Sequence, residues 1–174
     1  QQGRAVVVPA AALLTGPPAA GKTSLMSQVV MHLLFIGELV AIPIKVQQLQ
    51  ARLLERPESF AAAWNYIDAF LRLDCEPIVY RFLRQAMVAR RAVLLIDGLD
   101  EGGQVRAEIE HHVAEVLAPQ GHVLLCTSRP AGIDEVQYAG FRRLELAPLT
   151  DAQQLEALAQ RLGSEAAQEL LAYV

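Results

Sequence analysis

"TGPPAAGKTS", residues 15–24, sets two glycines, two prolines, two alanines and a lysine between an apolar run and a long segment of helical apolar spacing. Gly16, Gly21, Lys22 and Thr23 fit G-x-x-x-x-G-K-[ST], the spacing of a phosphate-binding P-loop. Such a loop works only where a strand delivers it and a helix leaves it. Upstream, "AVVVPAAALLT" (5–15) is an apolar run broken by Pro9, so a buried strand is expected over its second half, ending at Thr15. Downstream, Leu25, Met26, Val29, Val30, Leu33 and Leu34 recur at helical spacing, and Gly37 supplies a stop.

Glycine in this loop permits backbone angles closed to other residues, which lets successive N–H groups converge on phosphate oxygens beside a helix N-terminus. Pro17 and Pro18 have no N–H to give, so the donors must come from Ala19, Ala20, Gly21, Lys22 and Thr23. Ser24 is grouped with these as a nucleotide-binding candidate. Lys22 should reach the β- and γ-phosphates, and the Thr23 hydroxyl should ligate a magnesium ion.

In "VLLIDGLDE" (93–101) four apolar residues bring Asp97 to the carboxyl end of a buried strand, where ligands bind in open α/β sheets. Asp97 then suits the Walker B role of holding Mg²⁺. Gly98 leaves space, and Asp100 or Glu101 on the same loop can orient an attacking water. "LLCTSRP" (124–130) ends a third buried strand on the same side, which puts Arg129 in position to sense a γ-phosphate and stabilise charge on it.

The rest of the chain supplies the framework. "LVAIPIKV" (39–46) is a β-branched run with Pro43 inside it, which predicts an edge strand. Helices are predicted over 47–56, over 58–73 with Phe60, Trp64, Ile67 and Leu71 as one apolar stripe, and over 76–91 with a basic last turn. A further helix is expected over 104–119 on Val105, Ile109, Val113 and Val116; His111 and His112 are adjacent there, a poor spacing for a metal pair. "FRRLEL" (141–146) can make a fifth strand. Thr150 and Gln153 stand at capping-box spacing before another helix, and Ser164 opens one more. Continuous apolar strands alternating with helices predict an α/β fold, a parallel sheet covered on both faces.

A length of 174 residues, 53% of them apolar and 20% charged, suits one sizeable globular core. A net charge of -4 gives no support to a nucleic-acid surface, which usually rests on an excess of lysine and arginine. Cys75 and Cys126 have no paired or CxxC spacing, which indicates a reducing, cytoplasmic setting without disulfide or zinc site. No apolar stretch reaches the roughly 18 residues of a membrane span. The chain opens on Gln1 and stops at "LLAYV" within a developing helical pattern, so it is expected to be part of a longer protein with flanking domains.

"GPPAAGKT", "LLIDGLDE" and "LLCTSRP", in this order, resemble the NACHT branch of the STAND class of P-loop NTPases, related to AAA+ ATPases. The DGxDE form of Walker B and the TSRP strand ending distinguish that branch, and the similarity covers roughly residues 5–150. The resemblance implies a three-layer P-loop NTPase sandwich whose five-stranded parallel sheet has the order 5-1-4-3-2, with the P-loop on the central strand. It implies a nucleotide-binding core over 1–149 and the start of a helical lid over 150–174. ATP, or less often GTP, would bind with Mg²⁺ at Gly16, Gly21, Lys22, Thr23 and Asp97, and Arg129 would be the sensor. Slow hydrolysis or exchange would switch such a molecule between a closed form and one that assembles with others. Ala19 stands where the AAA+ style of loop has glycine, so it is expected to keep ordinary backbone angles. The other functions compatible with the motifs are an AAA+-like remodelling ATPase, a P-loop small-molecule kinase, and a scaffold that binds nucleotide without turnover.

Overall fold

The computed structural model of the chain describes residues 10–131 and 133–171. The expected break at Pro9 and the closing residues 172–174 lie outside them. In chain order the strands are β1 (Ala11–Thr15), β2 (Val40–Lys45), β3 (Ala92–Asp97), β4 (Val123–Ser128) and β5 (Arg142–Glu145). The helices are α1 (Lys22–Ile36), α2 (Val46–Glu55), α3 (Pro57–Ala61), α4 (Tyr66–Asp74), α5 (Pro77–Val88), α6 (Arg106–His112), α7 (Asp151–Leu162) and α8 (Ser164–Leu171).

The five strands form one all-parallel sheet in the order β2-β3-β4-β1-β5, which is the expected 5-1-4-3-2 read from the other edge. β4 occupies the middle and β1 lies one step off it, so the P-loop leaves an interior strand rather than the central one. β2 is an edge strand, and its exposed Pro43 sits where a missing N–H is tolerated. Because all strands run the same way, their carboxyl ends meet along one rim, the usual place for a ligand in an open α/β sheet.

β3 decides how the layers pack. Its Leu94 and Ile96 join the large core beneath α2–α6, while Val93 and Leu95 face the other way with Met26 of α1. Alternation along one strand therefore feeds two cores, and full burial of each such side chain is worth roughly 1.5–3 kcal/mol.

Three helical expectations need correction. The segment 58–73 is not one helix: it breaks between Ala61 and Tyr66, where buried Asn65 accepts the Asp68 N–H at 2.9 Å and donates to Gln120 Oε1 at 2.9 Å. An asparagine N-cap overrides the apolar stripe there, and Trp64 turns outward to lie edge-on to His122. The basic end expected for 76–91 lies past the helix, because α5 stops at Val88 and Arg90 takes φ 58°. Arg91 instead donates to the Glu38 carbonyl at 2.8 Å, and Arg90 lies 3.0 Å from His122 Nε2. The segment 104–119 opens with a tight turn (Gly103–Val105), runs as α6, and ends in a wider π turn over Val113–Leu117. The extra residue in that turn buries Leu117 in place of Val116.

His112 is a framework residue. Its Nε2 accepts the Tyr66 N–H at 2.9 Å and its ring stacks on Tyr66 at 3.7 Å. Burial, with help from His111, lowers its pKa to about 4; burial, with help from Arg90, does the same for His122. Both rings stay neutral in the fold while the unfolded chain protonates them near pH 6.5. The unfolded state thus binds more protons as pH falls from 6.5 towards 4, and stability is lost across that window. Between pH 7 and pH 5 the loss should be on the order of 2 kcal/mol for the two rings together after partial solvent screening. Urea unfolding midpoints at the two pH values measure it, and equal midpoints would refute the assignment.

At the C-terminal end, Thr150 and Gln153 form the expected capping box before α7. Among the described residues no helix is long and apolar enough to cross a membrane.

Candidate functional site

The loop between β1 and α1 owes its shape to a few positions. A Cβ on Gly16 would come within 3.3 Å of Leu146 Cβ, because the chain leaving β5 passes close by, with Leu146 N–H donating to Thr15 O at 2.8 Å. Gly21, the residue before α1, has φ 94°, in the left-handed region that favours glycine. No side chain caps α1 and its first turn holds no acidic residue, so the N-terminal amides of the helix are left for an anion.

Ala19 corrects the sequence expectation. It has φ 61°, a left-handed conformation rather than an ordinary one. The Cβ there costs about 1–2 kcal/mol, part of which a glycine would recover after its own larger entropy loss. Ala19→Gly is therefore expected to raise stability by about 0.5–1 kcal/mol. A urea midpoint that fell on this substitution would contradict the left-handed loop.

Lys22 lies in the first turn of α1 and folds back over the loop, where Nζ donates to Gly16 O at 2.7 Å and Pro17 O at 2.9 Å. The next residue crosses to the neighbouring strand end: Thr23 Oγ1 donates to Asp97 Oδ2 at 2.9 Å. Asp97 Oδ1 accepts from Thr127 Oγ1 at 2.5 Å, and Thr127 Oγ1 accepts the Gly98 N–H at 2.8 Å. The β3–β4 register, with Ile96 opposite Cys126, places Asp97 and Thr127 side by side.

Beyond Asp97 the chain turns sharply. Gly98 takes φ 80°, and a Cβ there would lie 3.0 Å from Glu101 Cδ, so glycine permits both the turn and the approach of Glu101. The two candidate carboxylates are engaged differently. Asp100 accepts from Arg129 twice, from Nε at 2.9 Å and from the backbone N–H at 3.1 Å. Glu101 is exposed, and its carboxylate makes no hydrogen bond among the described residues.

One cleft of about 320 Å³ gathers Ala19, Ala20, Gly21, Lys22, Thr23, Ser24, Asp97, Asp100, Glu101 and Arg129. Every candidate site residue from the sequence lines it except Gly16, which shapes the start of the loop. The donor set, a hydroxyl and a carboxylate beside uncapped amides and an ammonium, fits a polyphosphate with a hard divalent cation such as Mg²⁺. Thr127 also lines the cleft; the sequence puts it at this strand end but assigns it no role. A hydroxyl ending the apolar run "VLLCT" was the available signal, but it gains meaning only once β4 is known to lie beside β3.

No protein-family model and no curated protein matches the chain. Among solved structures it is similar to PCH-2 of C. elegans, with a TM-score of 0.54 and 16% identity over 92% of this chain and 41% of that one. It also aligns with the Aeropyrum pernix ORC1 protein in complex with DNA, at a TM-score of 0.47 and 16% identity over 91% of this chain and 43% of that one. The chain thus spans less than half the length of either. The parallel sheet order, the loop that β1 delivers to α1 and the likeness to PCH-2 together identify an α/β P-loop NTPase fold.

Proposed function

We propose that this chain is an Mg-dependent ATP-binding, slowly hydrolysing module of NACHT type that serves as a regulatory or assembly switch in a larger, cytoplasmic multidomain protein. The observation that carries it is the contact of Thr23 Oγ1 with Asp97 Oδ2, two hard oxygen ligands brought together at the uncapped start of α1. Thr23 and Asp97 would hold Mg²⁺, and the ion, when bound, supplies charge neutralisation at the β- and γ-phosphate oxygens.

In this scheme the α1 amides bind the phosphates, and Lys22 exchanges the Gly16 and Pro17 carbonyls for phosphate oxygens. Glu101 accepts a proton from a water whose oxygen bonds to the γ-phosphorus as the bond to the leaving ADP oxygen breaks. Asp100 fixes Arg129 at the rim, from which its guanidinium can meet charge on the γ-phosphoryl group. The DGxDE and TSRP segments favour the NACHT type. α7 and α8, opened by the capping box at Thr150, suit the start of a lid.

Phosphate release by the full-length protein from ATP and from GTP, without any acceptor, tests this function. Binding with slow release supports it. Release that depends on a phosphate acceptor would indicate a small-molecule kinase, and binding without release a scaffold. An AAA+-like remodelling ATPase is the second reading, favoured by the fold; it predicts nucleotide-dependent rings whose turnover rises with protein concentration.

A further inference from the structure

We infer that Thr127 is a positioning residue for the metal-binding side of this site, holding the Asp97 carboxylate so that Oδ2 faces Thr23. The inference rests on the proposed nucleotide-binding function. Its basis is the distribution of one proton. A threonine hydroxyl carries a single hydrogen, and Thr127 Oγ1 already accepts the Gly98 N–H at 2.8 Å. Its own hydrogen is then directed to Asp97 Oδ1, 2.5 Å away.

That bond matters because the terminal torsion of an aspartate is broad and roughly two-fold, so an untethered carboxylate at a strand end samples many orientations. Thr127 is fully buried and β-branched, so its hydroxyl is held stiffly. With Oδ1 fixed from β4, Oδ2 is presented to Thr23 Oγ1 at 2.9 Å. The same hydroxyl ties the Gly98 N–H, and so sets the start of the turn that carries Asp100 and Glu101. Ser128 cannot substitute, since it points to the other face of β4 and its Oγ donates to the Arg129 carbonyl at 3.1 Å.

Two substitutions separate positioning from packing. Thr127→Val keeps the shape and loses the hydroxyl; Thr127→Ser keeps the hydroxyl and loses the methyl group. In the full-length protein, binding of a fluorescent ATP analogue is titrated with MgCl₂, and repeated in EDTA. Thr127→Val should raise the Mg²⁺ concentration for half-maximal tight binding about tenfold, with the EDTA affinity changed less than threefold. Thr127→Ser should stay within threefold of the parent in both.

An Mg²⁺ titration of Thr127→Val that overlays the parent would overturn the inference. So would a Thr127→Ser titration displaced as far as that of Thr127→Val, because packing alone would then explain both; thermal melts of each variant confirm that folded protein is compared. A parent protein whose ATP binding ignores Mg²⁺ would overturn the proposed function as well, which distinguishes the two failures.

Discussion

Lys22→Ala is expected to weaken ATP binding by about 100-fold or more. Charge-assisted hydrogen bonds contribute roughly 1.5–3 kcal/mol each, and every 1.4 kcal/mol is a factor of ten, so losing two phosphate contacts from one ammonium suffices. The variant also loses the bonds from Nζ to the carbonyls of Gly16 and Pro17. These are partly solvent-exposed, so their loss should cost the fold no more than about 1 kcal/mol. Binding and unfolding therefore report different things: isothermal titration should show the large loss while the melting temperature moves only a few degrees. If Lys22→Ala bound ATP within threefold of the parent, the loop would not hold a triphosphate, and the magnesium and water-orienting roles would lose their anchor.

Much of this site was legible in the sequence because its chemistry is local. Gly21 with φ 94° and Gly98 with φ 80° are glycines where the backbone demands them, and the spacing to Lys22 and Thr23 is fixed within one loop. The sheet order followed from a resemblance, and β1 to β4 from apolar runs that need no tertiary knowledge. Features that depend on distant partners were not legible. The Asn65 cap that opens α4 is also tied to Gln120, 55 positions away, and Trp64 lies just before it, turned outward. The pairing of Asp100 with Arg129 and the clamp of Thr127 on Asp97 both join β3 to β4, across about 30 residues of chain. Ala19 shows the reverse error. An alanine favours an ordinary conformation, yet the loop holds Ala19 in a left-handed one.

That separation of Asp100 from Glu101 also decides which carboxylate should matter for cleavage. An acid whose two oxygens are both held by Arg129 is poorly placed to take a proton from water, whereas the Glu101 carboxylate stands in the cleft beside Gly98 with no such engagement. Glu101→Gln preserves size and removes only the basic oxygen. Positioned general bases contribute about 10²–10⁴-fold, so ATP cleavage should slow by at least about 100-fold while ATP affinity stays within threefold. Asp100→Asn should behave differently: it weakens the hold on Arg129, so cleavage falls by a smaller factor and the Arg129→Ala variant, already lacking that group, should show little further loss when the two are combined. Single-turnover phosphate release and equilibrium binding on the parent, the three single variants and the double variant distinguish these patterns. Equal cleavage by the parent and Glu101→Gln, with a large loss in Asp100→Asn that Arg129→Ala does not absorb, would transfer the base to Asp100 and reduce the ion pair to a resting contact.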